Sequence, residues 1–328
     1  MLNVAVVGAG NWGRKVIRNF YELKEVDTLF CYDVNPSSRR WVKKNYPEVI
    51  TVTRYEDILE NKEIPAVVIT TPAWTHFFLA RKALNAGKHV FVEKPLTLKA
   101  EDAEFLVNLA KAKGKILMVG HILRYHPAVQ VMKRIIDEGK LGRIYYTYSQ
   151  RLNVGRVREV ENVMWCLAPH DISIVLYLLE KEPTRVSACG GCFLQREKSI
   201  EDVIFLNLTF EGGIFSHIHV SWFDPTRIRK TVVVGEEEAI VLNELSSQEP
   251  LKLYTIKRKK GTDIALGEAT LLSVPNYEPL KEECLHFIRC ILTNTSPLTD
   301  GQEGLRVVKI LEMAQKSLKK GSPVKITK

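Results

Sequence analysis

The stretch VAVVGAGNWGRK, residues 4–15, constrains this chain more than any other. An apolar run is followed by glycines at 8, 10 and 13 and then by a helical pattern. In that spacing the first glycine permits a tight turn, the second lets backbone approach a pyrophosphate, and the third lets helix and strand pack closely. Such a turn works only between a buried strand and a helix, which commits the start of the chain to a βαβ unit. Asp33 ends the next apolar run 20 residues past Gly13, where a carboxylate accepts from a ribose 2′-hydroxyl. Gly8, Gly10, Asn11, Trp12, Gly13 and Asp33 are therefore the first candidate dinucleotide contacts. Asp33 would repel a 2′-phosphate and so favours NAD over NADP; Arg39 and Arg40 could instead turn toward such a phosphate or simply form an exposed helix face.

The pattern then repeats. Apolar runs DTLFCYD, AVVITTP, HVFVEKP and ILMVGH alternate with helical segments such as HFFLARKALNAG and AEDAEFLVNLAKAKG. Short, continuously apolar runs suit strands buried on both faces of a parallel sheet. Beyond residue 121 the pattern changes. Helical segments are expected at 126–138 and 168–180, followed by longer strand-like stretches joined by turns such as EGG and GEEE, with two helices near 277–292 and 301–318. The expected fold is α/β: a Rossmann domain with a parallel sheet over 1–121, then an α+β domain with an open, mainly antiparallel sheet over 122–328. The second domain is expected to bind substrate and to mediate oligomerisation.

A length of 328 residues suits two domains. The net charge of +9 does not imply nucleic acid, because the basic residues are dispersed among 38 acidic ones; KRKKG at 257–261 reads as a solvated hairpin tip. A basic surface would instead steer an anionic small substrate. No apolar run approaches the roughly 20 residues of a membrane span, and MLNVAVVGAG lacks a basic leader, so a cytoplasmic protein is expected. CGGC at 189–192 has no second pair at zinc spacing and reads as strand, so no metal is expected.

Two further stretches fall at the carboxyl ends of strands, the edge where open α/β sheets bind ligands. TTPAWTH at 70–76 offers Thr71 for polar contact, Pro72 as a stiff turn, and His76 as either a cofactor-facing group or a cap. VFVEKP ends the next strand and is expected to project Glu93 and Lys94 as cofactor contacts, to where a nicotinamide ring would lie, followed by Pro95. A lysine there can hydrogen-bond an alcohol oxygen and stabilise negative charge as hydride leaves the adjacent carbon. A surface salt bridge is the plain alternative.

In order and spacing, GAGNWG, TTPAWTH, EKPLT and VGHILRYHP resemble the Gfo/Idh/MocA family of NAD(P)-dependent sugar and polyol oxidoreductases, and the resemblance runs to the closing helices. It implies that Lys94 is the active-site lysine. A second family motif, an aspartate and a histidine four residues later, matches WCLAPHDISIVLYLL, which makes His170 the implied general base, with Pro169 and His170 expected to begin a helix. Here the chain departs from the family, with Cys166 where an aspartate is usual. Asp171, beside His170, is expected to interact at the helix N-terminus. GHILRYHPAV, YSQRLNVGRVR and VSWFDPTRIRK look similar to the branch acting on UDP-activated amino sugars, the UDP-N-acetylglucosamine and UDP-N-acetylglucosaminuronate 3-dehydrogenases. That likeness implies oxidation of a sugar C3 hydroxyl. It also makes Arg124, Arg151, Asn153, Arg227, Arg229 and Lys230 candidate phosphate or sugar ligands, with Arg124 near the cofactor as well and Cys166 beside the substrate. A free-sugar or inositol dehydrogenase, or a dinucleotide-binding redox sensor without turnover, stays open. A sheet face left over in the second domain predicts a homodimer or homotetramer, as in the family.

Overall fold

The computed structural model describes every residue except 156, 259–262 and 327–328. The chain forms two compact units, Met1–Tyr125 with Tyr277–Lys309, and His126–Asn276 with Ile310–Lys328.

The first unit is built on six parallel strands: β1 (Leu2–Val7), β2 (Val26–Tyr32), β3 (Ile50–Val52), β4 (Ala66–Ile69), β5 (His89–Glu93) and β6 (Leu117–Gly120). Their order is β3-β2-β1-β4-β5-β6, so the winding reverses between β1 and β4. That switch point opens a ligand crevice at the strand carboxyl ends. Val4–Val7 and Ala66–Ile69 have no solvent exposure, as a sheet covered on both faces requires. The crossover helices are α1 (Asn11–Tyr21), α2 (Pro36–Asn45), α3 (Tyr55–Glu60), α4 (His76–Asn85) and α5 (Ala100–Ala112). Helix α1 turns Val16, Ile17 and Phe20 into the core. Asn35 caps α2 ahead of Pro36, whose missing N–H costs nothing at a first helical position.

The sequence pattern alone assigns everything past 121 to one second domain, whereas the structure gives residues 277–309 to the first unit. The cause is α8 (Pro279–Thr293), whose apolar stripe of Leu280, Cys284, Phe287 and Ile288 joins the core formed by Val4, Val16, Phe20 and Phe91. The Phe91 and Phe287 rings meet edge-on, 5.6 Å between centroids. Burying one such ring contributes about 1.5–3 kcal/mol.

The second unit holds α6 (Pro127–Asp137), α7 (Val163–Leu179), the latter part of α9 (Gly301–Lys320) and a nine-stranded sheet. The strands are β7 (Ile144–Val154), β8 (Pro183–Gly191), β9 (Val203–Phe210), β10 (Phe215–Ser221), β11 (Phe223–Gly235), β12 (Glu238–Asn243), β13 (Leu251–Arg258), β14 (Ile264–Leu271) and β15 (Val324–Lys325). They are ordered β14-β13-β12-β11-β7-β10-β9-β8-β15. Pairing is antiparallel except between β7 and β10, which run parallel. Helix α7 packs on β7, β9 and β10. Side chains alternate accordingly: Ile204, Leu206, Ile218 and Val220 are buried, while Phe205, His217 and His219 lie on the opposite, more open face. Residues 259–261 of the basic run lie outside the described residues, between β13 and β14, which pair as antiparallel neighbours. Among the described residues no helix is long and apolar enough to cross a membrane.

Candidate active site

The glycine turn has the geometry its spacing predicts. Gly8 sits at φ +104°, a conformation side chains rarely adopt. A Cβ on Gly13 would lie 2.1 Å from the Gly8 carbonyl oxygen, so only glycine lets α1 approach β1 this closely. A Cβ on Gly10 would meet nothing within 4 Å, and Gly10 caps α1 with no side-chain partner for its first amides. Open space in front of unsatisfied N–H groups at the positive end of a helix fits a dinucleotide pyrophosphate. Asp33 braces this turn: its carboxylate accepts from the Ala9 N–H at 2.6 Å and the Asn35 N–H at 2.7 Å. Arg39 donates to the Asp33 backbone carbonyl, and Arg40 is exposed.

At the ends of β4 and β5 the predicted residues form one connected network. The Trp12 indole N–H donates to the buried Glu93 carboxylate, tying the glycine turn to the Glu-Lys-Pro segment across 81 residues of sequence. The other Glu93 oxygen accepts from the Lys94 backbone N–H at 3.2 Å. Lys94 is partly exposed, and its peptide to Pro95 is cis. His76 is buried, its Nδ1 2.8 Å from the Pro95 carbonyl oxygen and its Nε2 2.9 Å from that of Thr71. The ring therefore clamps the TTP turn to the segment carrying Lys94. Thr71 and Thr75 share a hydroxyl hydrogen bond of 2.6 Å, and Pro72 is exposed.

The closing segment supplies carboxyls to the same unit. Glu303 pairs with His121, and its other oxygen lies 3.4 Å from Arg124 Nη1. Arg124 is buried against an acid rather than open to a ligand. Glu283, fully buried, has no hydrogen-bond partner for either oxygen among the described residues. Burial pushes its carboxyl well above the usual range, and the nearby Glu93 pushes it further. Glu93 is raised by burial as well, with the Trp12 hydrogen bond working against that. Leaving a carboxylate buried without a partner is costly, which favours the protonated form of Glu283.

In the second unit α7 begins earlier than the sequence pattern indicates. Asn162 caps it by accepting from the Trp165 N–H at 3.2 Å, which puts Pro169 and His170 inside the helix rather than at its start. Cys166 and His170, four residues apart, share a partly exposed face. Asp171 does not serve the helix N-terminus; it is buried and accepts from Arg151 Nε at 2.9 Å and Nη2 at 3.2 Å. Glu244 takes Arg151 Nη2 at 2.8 Å and Nη1 at 3.2 Å. Burial works to raise the Glu244 carboxyl, but the Arg151 guanidinium more than offsets this and holds it below the usual range. Arg151, expected as a substrate ligand, is thus occupied by two carboxylates. Removing one partner from such a buried cluster costs about 3–5 kcal/mol. Arg229 donates to the Asn153 side chain at 2.7 Å, Arg227 is exposed, and Lys230 lies over the Tyr148 ring.

Sequence reasoning missed Glu283, Glu303 and Glu244. Glu283 left a readable signal, since it falls on the apolar stripe of α8, three residues after Leu280 and four before Phe287. Glu244 left none, because its partner Arg151 lies 93 residues away.

The comparisons accord with this geometry. Residues 2–121 match the profile described as oxidoreductase family, NAD-binding Rossmann fold, and residues 129–241 match the GFO/IDH/MocA C-terminal domain. A UDP-N-acetylglucosamine 3-dehydrogenase of Acidithiobacillus ferrooxidans is 29% identical over 313 residues, covering 94% of each chain. The NAD(+)-dependent scyllo-inositol 2-dehydrogenase of Bacillus subtilis is 28% identical over 285 residues, 82% of this chain and 80% of that one. A solved structure of the Acidithiobacillus ferrooxidans 3-dehydrogenase superposes with a TM-score of 0.83 over 97% of this chain and 98% of the other, at 24% identity, a likeness of fold. With the glycine turn, the Glu-Lys-Pro strand end and both domain profiles in place, the chain belongs to the Gfo/Idh/MocA family of oxidoreductases.

Proposed function

We propose that this protein is an NAD-dependent dehydrogenase that removes hydride from a secondary hydroxyl of a sugar, with C3 of a UDP-activated amino sugar as the reacting centre. The observation that carries the reading is the network at the sheet's carboxyl edge. Glu93, Trp12 and His76 hold the backbone around Lys94 beside a glycine turn shaped for a pyrophosphate. Bound NAD supplies the carbon that accepts hydride. Lys94 hydrogen-bonds the alcohol oxygen and stabilises the negative charge that grows there. His170 takes the hydroxyl proton, so the alcohol becomes a ketone as the C–H electron pair leaves for the cofactor. Asp33, already fixed by two backbone N–H groups, supports NAD over NADP, because Arg39 is turned to the Asp33 carbonyl. Arg227, exposed on β11, and Asn153 remain candidate ligands for phosphate or sugar, and Cys166, one helical turn before His170, remains a candidate substrate contact.

The similarity to an inositol dehydrogenase at nearly the same identity supports a second reading, oxidation of a free polyol. The test is a panel of UDP-sugars, free sugars and inositols with NAD and NADP, following nicotinamide absorbance. UDP-N-acetylglucosamine with NAD is expected to react fastest, and Lys94→Ala or His170→Ala to lower kcat by about 10²–10⁴ while NAD still binds. NAD binding without reduction by any panel member would reject the proposal. We also propose a homo-oligomer built on the open sheet face. Tyr146 stacks on Phe215 at 5.2 Å and Phe205 on His219 at 4.1 Å there. A monomeric mass by light scattering would exclude it.

A further inference from the structure

Position 166 carries no acid to orient His170, and the helix is weakened at the same turn. Pro169 has no N–H, so the Trp165 carbonyl loses its intrahelical donor one turn before His170. Buried side chains such as Trp165 and Ile172 hold α7 as a whole, and at the weakened turn Asp171 adds a charged contact. Asp171 faces away from the Cys166–His170 stripe, since successive helical residues are about 100° apart. It meets Arg151 through two hydrogen bonds of 2.9 and 3.2 Å. Arg151 is itself anchored in the middle of the sheet, because β7 is flanked on both sides and Arg151 pairs with Val220 of β10 and Arg229 of β11. Glu244 closes the far side of the fork, and its own backbone N–H donates to the Arg229 carbonyl at 2.9 Å. The guanidinium, the two carboxylates and the sheet backbone form one rigid bracket, with side-chain exposures of 6% for Arg151, 0% for Asp171 and 11% for Glu244.

We infer that Arg151, gripped by Asp171 and Glu244, is a positioning residue for His170, setting the rotation of the proline-weakened turn of α7 in place of an acid at position 166. The inference rests on the reading of His170 as general base. Its size follows from helix geometry: a side chain reaching about 5–6 Å from the axis moves about 1 Å for a 10° rotation. A misplacement of about 1 Å can cost about 10²-fold in rate.

The test uses the full chain with UDP-N-acetylglucosamine and, separately, scyllo-inositol as substrates with NAD. Asp171→Ala leaves Arg151 paired with Glu244, so it is the variant best placed to fold. It is expected to lower kcat by about ten- to a hundredfold, leave KM for NAD within about twofold, and speed hydrogen exchange of the amides around 167–172. Asp171→Asn, which keeps one acceptor for the fork, should recover part of kcat. Arg151→Lys should not, because an ammonium lacks the planar fork. A purely structural role would lower the melting temperature of Asp171→Ala and leave kcat of the folded enzyme intact, which would overturn the inference. Unchanged exchange in Asp171→Ala would overturn it whatever the rates, and needs no substrate. Full activity in His170→Ala, together with faster exchange in Asp171→Ala, would leave the bracket standing and reject His170 as the base.

Discussion

Alanine at position 13 and alanine at position 10 should separate packing from ligand binding within one turn. On Gly13 the added Cβ would lie 2.1 Å from the Gly8 carbonyl oxygen and 2.8 Å from Thr70 Oγ1. Ordinary contact begins near 3.4 Å, so α1 and the end of β1 must part by about 1.3 Å. The opposing atom is backbone, with Thr70 itself donating to the Gly8 carbonyl at 2.7 Å, so relief by a side-chain rotation is closed. Overpacking of this kind costs about 1–3 kcal/mol, and a backbone clash belongs at the upper end. For a unit of this size about 3 kcal/mol lowers the melting temperature by about 6–12 °C. On Gly10 the same methyl meets no protein atom within 4 Å, so stability should move by no more than about 1 kcal/mol. There the methyl stands where a pyrophosphate would approach, and the dissociation constant for NAD should rise more than tenfold. Calorimetry and quenching of tryptophan fluorescence by NAD measure the two effects. A Gly13→Ala protein that melts with wild type, or a Gly10→Ala protein that binds NAD like wild type, would refute the assignment of the turn.

Two other substitutions address buried groups. Glu283→Gln should be tolerated at neutral pH, because burial favours the protonated form of the carboxyl, which an amide resembles in shape and charge. Its folded pKa is raised, so the unfolded chain loses that proton first as pH rises above about 4.3 and wild-type stability falls by up to about 1.4 kcal/mol per pH unit. The variant's stability relative to wild type should therefore rise with pH above about 4.3 in denaturant titrations, and a constant difference would contradict a raised Glu283 carboxyl. Cys166→Asp restores the carboxylate usual one helical turn before the histidine and should raise kcat, whereas Cys166→Ser should leave it unchanged. A fall in rate on Cys166→Ser would give the thiol itself a part in the reaction.

Local pattern determined much of this protein. The glycine spacing, the continuously apolar strands and Asp33 just past β2, 20 residues beyond Gly13, specify a dinucleotide turn, and the strands of the first unit formed where the apolar runs stand. EKP was legible for the same reason, as a short motif at the end of β5, whereas PHD lies inside α7 and was singled out only by its likeness to the family motif. What tertiary structure alone decided are the pairings between distant residues. Residues 277–309 left the second unit because one apolar stripe on α8 fits the core beside Phe91. Arg151 reads as a ligand until the fold brings Asp171 and Glu244, 20 and 93 residues away, onto its fork. Hydrophobic periodicity is written along the chain, so sequence reveals it. A buried charge takes its meaning from whichever partner the fold delivers, and one strand or one helix does not name that partner.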